Sequence, residues 1–234
     1  MATARSGAPV RDAGPLLAAA ADGTRERLLA QSRPLVLPRG AAVFAQDAPA
    51  DHLHVLLEGS VGLSTMEDGG AATLVEILDP GDAFVVGAAM LRLPCPVSAA
   101  TLAPSRIVMI PAELVRAEAV ADAGLMQAAL EQMARQWRLL VDQVVDLKTR
   151  DATQRVARFL ARRLPSPQGA AELPEPRAAI AARLGMTPES LSRTLHGLEA
   201  AGLLRLDGRR VDVPDRAALL RLALPRSDHR ARPA

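Results

Sequence analysis

Cysteine is almost absent from this sequence, and aromatic residues are scarce. Cys95 is the single cysteine among 234 residues, which excludes an internal disulfide, a cysteine-held iron–sulfur cluster and a thiolate zinc site. Aromatic residues make up 2% of the chain and apolar residues 49%, so the core must consist of aliphatic side chains and methionine. No run of about 18 apolar residues occurs, and we therefore predict no contact with a membrane.

Signals for secretion and for catalysis are missing as well. The first residues, MATARSGAPVRDAG, lack the apolar segment of a signal peptide, which predicts a cytoplasmic protein. We expect loose tails at 1–14 and 226–234. No nucleophile–base pair, paired carboxylate site or metal-ligand cluster emerges from the sequence, so we assign no catalytic residue and do not expect an enzyme.

Charge is divided unevenly along the chain. Residues 1–150 carry 13 Lys and Arg against 17 Asp and Glu, a net charge of −4, whereas residues 151–234 carry 15 against 9, a net charge of +6. The basic last third predicts the binding of a polyanion such as DNA there. The alternative is a solvated arginine-rich surface.

Short apolar runs alternate with turn residues between Pro34 and Pro111, after short helices at 15–33. Glycines punctuate this region every 10–20 residues, which is typical of a small β-barrel or jelly roll. The segment HLHVLLEGSVGLS predicts two strands around Glu58-Gly59, and DGG at 68–70 predicts a hairpin turn.

A long helix at 118–150 follows, with apolar residues spaced alternately four and three apart. This heptad period of 3.5 favours a parallel homodimer in which the helix pairs with a copy of itself. The predicted interface is Met126, Leu130, Met133, Trp137, Leu140, Val144 and Leu147. Trp137 lies at its centre and could anchor the interface. The alternative is a helix that lies on its own barrel.

The stretch GMTPESLSRTLHGLEAAGLL carries the signals of a helix-turn-helix. Gly185 ends one helix, and Thr187 caps the next, which has proline at its first position. Glu189, Ser192 and Arg193 then face outward near the start of the second helix and are suited to base edges in a major groove. The alternative is an exposed i,i+4 ion pair between Glu189 and Arg193. The predicted packing residues between the helices are Ile180, Leu184, Leu191, Leu195 and Leu198.

Two short strands around Asp207-Gly208 predict a wing beside this motif. We assign DNA phosphate contacts to its arginines and to the capping threonine. These residues are Thr187, Arg205, Arg209 and Arg210.

From about Pro15 to Leu222 the chain resembles the Crp/Fnr family of bacterial transcription regulators. VFAQDAPADHLHVLLEGSVGLS is similar to the family's β-roll, LDPGDAF to its central turn and PESLSRTLHGLEAAGLL to its recognition helix. Asp47 departs from the family pattern, which commonly has glycine there. The resemblance implies an α+β chain with a cyclic-nucleotide-type β-roll (jelly roll) effector domain at 15–117, a dimerisation helix at 118–150 and a winged helix-turn-helix at 151–225.

The Glu-x-x-Ser-Arg pattern at 189–193 resembles the Fnr branch of this family. It implies a homodimer that binds palindromic DNA with TTGA-type half-sites and regulates transcription. RNA polymerase is an expected partner if the protein activates.

The effector pocket implied by the resemblance does not suit cyclic AMP. The family's Gly-Glu and Arg-Ser or Arg-Thr pairs are replaced by Gly87-Ala88 and Val97-Ser98, so the carboxylate and the arginine for the ligand are gone. A buried cyclic phosphate would lose its charge-assisted hydrogen bonds. The pocket is expected to be lined by Phe84, Val86, Gly87, Ala88, Met90, Leu91, Val97 and Ser98.

The run from Gly87 to Ile110 resembles the denitrification-regulator branch (Dnr and Nnr types), which implies nitric oxide sensing through haem b. Candidate axial ligands are His52, His54, Met90 and Cys95. Each has a structural alternative, since the histidines could be exposed strand residues, the methionine a core residue and the cysteine a small loop residue.

Two other functions stay open. One is the same regulator without haem, either constitutive or controlled by another small ligand or by oxidation of Cys95. The other is a haem or small-ligand binding protein with no role on DNA.

Overall fold

The structure is a computed structural model that describes residues 14–65, 73–164, 169–173 and 175–224. It divides into two compact units, Met1–Arg138 and Leu139–Ala234. The predicted tails and the predicted turn at 68–70 lie outside the described residues, except for Gly14, which begins the first helix.

The first unit begins with two short helices, as predicted, and continues as a set of antiparallel strands. Its elements are α1 (Gly14–Ala18), α2 (Asp22–Ala30), β1 (Arg33–Leu37), β2 (Ala42–Phe44), β3 (His52–Glu58), β4 (Val61–Thr65), β5 (Thr73–Leu78), β6 (Ala83–Phe84), α3 (Val86–Leu91), β7 (Ser98–Thr101), β8 (Ser105–Pro111), α4 (Ala112–Ala121) and the first part of α5 (Ala123–Thr149). The strands β3 and β4 confirm the prediction of two strands around Glu58-Gly59.

Two antiparallel sheets face each other in this unit. Their strand orders are β1-β8-β3-β6 and β2-β7-β4-β5. Because side chains alternate along a strand, β3 contributes to two cores. Leu53 and Val55 pack with the helices on one face, whereas Leu56 packs with Phe84 on the other, toward β2, β4 and β7. The predicted β-roll is confirmed.

The predicted helix at 118–150 is interrupted near its start. Asp122 has extended backbone and separates α4 from α5, which begins at Ala123 rather than at 118. The Asp122 carboxylate accepts hydrogen bonds from the N–H groups of Leu125, at 3.0 Å, and Ala21, at 2.8 Å. These bonds lower the pKa of the Asp122 carboxyl and join the start of α5 to the N-terminal helices.

The second unit has the predicted winged helix-turn-helix. Its elements after α5 are α6 (Ala152–Arg163), β9 (Gly169–Glu172), α7 (Arg177–Arg183), α8 (Pro188–Ala200), β10 (Arg205–Asp207), β11 (Arg210–Val213) and α9 (Arg216–Leu222). Asp151 caps α6 by a reciprocal pair of bonds with Gln154, at 2.9 and 3.0 Å. Strand β9 has no counterpart among the sequence predictions, and it pairs with β11 in a sheet of order β10-β11-β9.

Among the described ranges, no helix combines the length and the apolarity that crossing a bilayer requires.

Candidate nucleic-acid interface and effector region

The turn between α7 and α8 depends on glycine for two reasons. Gly185 has φ +63°, which favours glycine, and a Cβ added there would lie 2.6 Å from Cδ2 of Leu147. Thr187 then caps α8, because its Oγ1 accepts the N–H of Ser190 at 3.2 Å. The geometry of both positions agrees with the signals in the sequence.

One face of α8 is buried and packs against α7, as predicted. The packing residues are all buried: Ile180, Leu184, Leu191, Leu195 and Leu198. The opposite face is therefore available to a partner.

The outward face of α8 carries Glu189, Ser192 and Arg193. Glu189 and Arg193 are exposed and Ser192 is half-buried. No ion pair joins Glu189 to Arg193 in the described part of the chain; the Arg193 guanidinium donates instead to Ser190 Oγ at 3.2 Å. The N–H of Glu189 itself and the Thr187 hydroxyl lower the pKa of the Glu189 carboxyl, so this residue is an acceptor at neutral pH.

The wing strands β10 and β11 present arginines to solvent. Arg205 and Arg209 are exposed, and their guanidinium groups have no partner among the described residues. Arg210 is exposed too, but its Nε donates to the Asp212 carboxylate at 2.9 Å. Arg205 and Arg209 are therefore the wing residues with free donors for phosphate, whereas Arg210 would have to exchange its partner.

The end of α7 is held by α5 and α6, through residues that the sequence analysis did not single out. Gln143 Nε2 donates to the Arg183 carbonyl at 3.3 Å, and Arg155 Nε donates to the Leu184 carbonyl at 2.9 Å. Helix α5 is further joined to α6 by Arg162, which contacts Asp142 at 2.6 Å. The sequence around Gln143 and Arg155 does not indicate that their side chains contact the end of a different helix.

The heptad residues of α5 are exposed along its whole length. Trp137 is 68% exposed and Leu130 67%, and the exposed residues also include Met126, Met133, Leu140, Val144 and Leu147. The described residues of the chain thus leave this apolar face uncovered. Leu139, Val141 and Val145 are exposed as well and widen it beyond the heptad pattern.

The eight residues expected to line one effector pocket fall in different environments. Val86 and Met90 pack into the core on the helical face of the β1-β8-β3-β6 sheet, whereas Phe84 lies in the core on the other face. Leu91 is 65% exposed. The division between two cores does not favour one pocket lined by all eight, which stays a prediction. The other four positions are Gly87 and Ala88 in α3, and Val97 and Ser98 beside β2, where Ser98 Oγ accepts the N–H of Gln46 at 2.9 Å.

The candidate haem ligands are also dispersed. Met90 lies on the helical face of the sheet, Cys95 is buried in the loop before β7, and His52 is half-buried on β3. His54, for which an exposed position was the alternative, is 5% exposed. Its ring forms a cluster with those of Phe44, at 5.1 Å, and Phe84, at 5.3 Å, which are themselves 6.0 Å apart.

His54 is a neutral buried base. Burial, and next the charge of His52, lower the pKa of the His54 imidazole to about 4. Its Nδ1 is buried without a hydrogen-bond partner in the described structure. The sequence alternates polar and apolar residues at this point of β3, and both faces of the strand turn out to be buried.

Two glutamines of α5 contact the β-roll at one carbonyl. Gln132 and Gln136 both donate to the Ala83 carbonyl, at 3.2 and 2.8 Å. A Cβ on Gly87 would lie 3.5 Å from Cε of Met133. Helix α5 therefore contacts β6 and α3 within the first unit. A displacement of either element would alter these contacts of α5.

Comparison with known families matches both units. Residues 34–121 match the cyclic nucleotide-binding domain, and residues 154–222 match the Crp-like helix-turn-helix domain.

Individual relatives extend over most of the chain. The nitrogen fixation regulation protein FixK of Azorhizobium caulinodans is 30% identical over 198 residues, which cover 81% of this chain and 78% of that protein. The CRP-like cAMP-activated global transcriptional regulator of Mycobacterium tuberculosis is 28% identical and covers 84% of this chain and 90% of its own length. The solved structure of FixK2 from Bradyrhizobium japonicum, 23% identical, shares the fold with a TM-score of 0.74 over 82% of this chain and 98% of that chain.

Proposed function

This chain belongs to the Crp/Fnr family of DNA-binding transcription regulators, and from that premise we propose that it acts as a homodimer on a palindrome of TTGA-type half-sites. The observation that carries the proposal is the free polar face of α8. Glu189, Ser192 and Arg193 lie at its N-terminal end, where a recognition helix contacts base edges. If the protein activates transcription, RNA polymerase is its further partner.

The chemistry of this face fits base recognition. Arg193 can give up its bond to Ser190 and donate two bonds to a guanine, while the Glu189 carboxylate can accept from a cytosine amine. Arg205 and Arg209 on the wing have free donors for phosphates. The base contacts would supply sequence preference, and the wing contacts would supply affinity that does not depend on sequence.

Arg193→Ala is expected to weaken binding to the palindrome by about 1–3 kcal/mol, roughly ten- to a hundredfold, and to reduce the preference for the correct base at one position. Arg209→Ala, by contrast, should weaken binding to all sequences alike and reduce the salt dependence by about one phosphate contact. Fluorescence anisotropy with the palindrome and with scrambled DNA, at several salt concentrations, measures both effects.

The matched control is Arg25→Ala, which removes the same charge from α2 in the first unit and should leave specific binding unchanged. A footprint that Arg193→Ala does not alter would refute the role of α8.

We propose that the effector is a small ligand other than cyclic AMP. Ala88 and Val97 supply no charged group where the ligand's ribose and phosphate would need one. Oxidation of Cys95 is a weaker means of control, because burial, and next the charge of Asp51, raise the pKa of its thiol, and a buried protonated thiol is a poor nucleophile.

Nitric oxide sensing through haem, which the resemblance to Dnr and Nnr regulators implies, is the second candidate, and the unpartnered Nδ1 of His54 favours it. A neutral imidazole is the form that binds iron. However, the rings of Phe44 and Phe84 pack against the imidazole, and Met90 packs against the core on the opposite face of the sheet. These residues do not form a haem site as arranged, and we derive no step of the response through haem.

An anaerobic haem titration followed by visible spectroscopy decides between the candidates. Haem sensing predicts that one haem binds per chain, with a Soret band that shifts when nitric oxide is added. This band should disappear in His54→Leu but not in His52→Gln. Absence of a saturable band removes haem and leaves a small-ligand regulator.

A further inference from the structure

Two loops of the first unit are held side by side. The loop from 45 to 51 joins β2 to β3, and the loop from 92 to 97 joins α3 to β7. The N–H of Asp47 donates to the Cys95 carbonyl at 2.8 Å, and the N–H of Cys95 donates to the Ala48 carbonyl at 2.9 Å. Pro49 and Pro94 form a bridge between the loops. Backbone hydrogen bonds at the buried Cys95 therefore fix the two loops relative to each other.

A cavity of about 390 Å³ opens between these loops and α4. The residues that line it include two acids, Asp47 and Asp51, two arginines, Arg92 and Arg116, and the apolar Leu93 and Pro94. The volume lies in the lower part of the range of roughly 300–1,000 Å³ that small-molecule sites occupy. The volume is sufficient for a small metabolite.

The four charged side chains do not neutralise one another. Among the described residues no ion pair is made by Asp47, Asp51, Arg92 or Arg116. Arg116 donates through one nitrogen to the Ala89 carbonyl at 2.5 Å, and its Nε is buried without a partner. An unpaired buried donor is unfavourable unless something accepts from it. The cavity is thus lined by two acids and two arginines whose charges are not paired with one another.

Two of the lining residues have backbone that is unusual for their type. Asp47 has φ +63° and Arg92 has φ +56°, and with Val85 they are the described non-glycine residues with positive φ. Left-handed backbone disfavours side chains with a Cβ, and such residues concentrate at functional sites. Glycine would suit both positions better for folding alone, yet each position carries a charged residue that lines the cavity.

We propose that this cavity binds a small zwitterion of the α-amino acid class. The ligand's carboxylate accepts from Arg92 and Arg116, its ammonium donates to Asp47 and Asp51, and an aliphatic side chain lies against Leu93 and Pro94. A simple anion would meet two carboxylates and a simple amine two guanidinium groups, so only a ligand with both charges satisfies the whole set. This site does not coincide with the effector pocket that the sequence predicted around Gly87 and Val97.

Binding here would reach α5 through α3, which adjoins α4 at the Arg116–Ala89 bond and α5 at Gly87 and Met133. Regulation of DNA binding by this route rests on the function proposed above, whereas binding itself does not.

The test is isothermal titration calorimetry of the full chain with each of the twenty standard amino acids, followed by the decarboxylated and deaminated analogues of the tightest binder. We expect at least one saturable 1:1 isotherm and a loss of about tenfold or more for each analogue.

Two variants isolate the charges without disturbing the backbone, since glycine accepts positive φ. Asp47→Gly should weaken binding of the amino acid and of its decarboxylated analogue, the amine, but not of its deaminated analogue, the acid. Arg92→Gly should weaken binding of the amino acid and of the acid but not of the amine. Arg39→Ala, an exposed arginine outside the cavity, is the control.

No saturable heat with any of the twenty probes overturns the proposal, and so does binding that both glycine variants leave unchanged. DNA affinity with and without the bound amino acid is measured separately. A protein that binds the amino acid but no palindromic DNA contradicts the proposed function and leaves the cavity assignment standing.

Discussion

Trp137→Ala is expected to convert the dimer into monomers at micromolar concentration. A central tryptophan in an interface contributes about 2 kcal/mol or more, and a symmetric dimer loses it twice. The total of about 4 kcal/mol corresponds to roughly a thousandfold increase in the dissociation constant of the dimer. The physical reason is the uncovered apolar face of α5, whose largest side chain is Trp137. Sedimentation equilibrium measures the change directly.

The control for this substitution is Val36→Ala on β1. Val36 is 67% exposed, close to the 68% of Trp137, but lies outside the heptad face. It should leave the association constant unaltered. The competing arrangement, in which α5 packs onto its own β-roll, predicts instead that Trp137→Ala lowers the thermal midpoint at constant oligomeric state.

Acidification from pH 6.5 to about 4 is expected to remove about 3 kcal/mol of folding free energy through His54 alone. Its pKa is lowered to about 4 in the folded chain, against an ordinary value of roughly 6.5. Between these pH values the His54 imidazole is protonated in the unfolded state but stays neutral in the folded state. The contribution of His54 is therefore complete above pH 6.5 and declines as the pH falls, with about 2 kcal/mol lost by pH 5.

Urea unfolding of wild type, His54→Leu and His52→Gln at several pH values, followed by circular dichroism, tests this origin. His54→Leu should flatten the dependence of the unfolding free energy on pH between pH 4 and 6.5, whatever its stability at neutral pH. His52→Gln removes only the second cause of the lowered His54 pKa and leaves the burial, so it should keep most of that dependence. Asp122, whose pKa is lowered, loses its contribution only as the pH falls below its ordinary value of 3.8. An equal slope in all three proteins would assign the acid sensitivity to other groups.

The elements that the sequence predicts well are those whose signals are local. Gly185 and Thr187 predict the boundary between α7 and α8 from a few neighbouring residues. In the structure Gly185 follows the end of α7 with positive φ and Thr187 caps α8, as expected. Strand β9 is different, because GAAE has no β-branched or aromatic residue and owes its conformation to pairing with β11, about forty residues away.

The effector region was predicted less well for a similar reason. Neighbouring residues of β6 and α3 read as one apolar run, but Phe84 and Val86 belong to cores on opposite faces of a sheet. The cavity beside Arg116 is built by loops about 45 residues apart whose contact depends on the β-roll. Burial on both faces of a strand leaves no signal in the neighbouring residues of the sequence. The same holds for the contact between two loops that are distant along the chain.

In the proposed homodimer, the attachment of α7 to α5 and α6 would determine which promoters the protein binds. Because Gln143 and Arg155 hold the carbonyls at the end of α7, and Leu147 adjoins Gly185, the recognition helix belongs to the same compact unit as the second half of the dimerisation helix. In a symmetric pair the distance between the two recognition helices is then a property of the protein. One base pair inserted between half-sites rotates the second by roughly 35° about the DNA axis. The proposed dimer would therefore not bind chromosomal sequences that carry both half-sites at the wrong spacing.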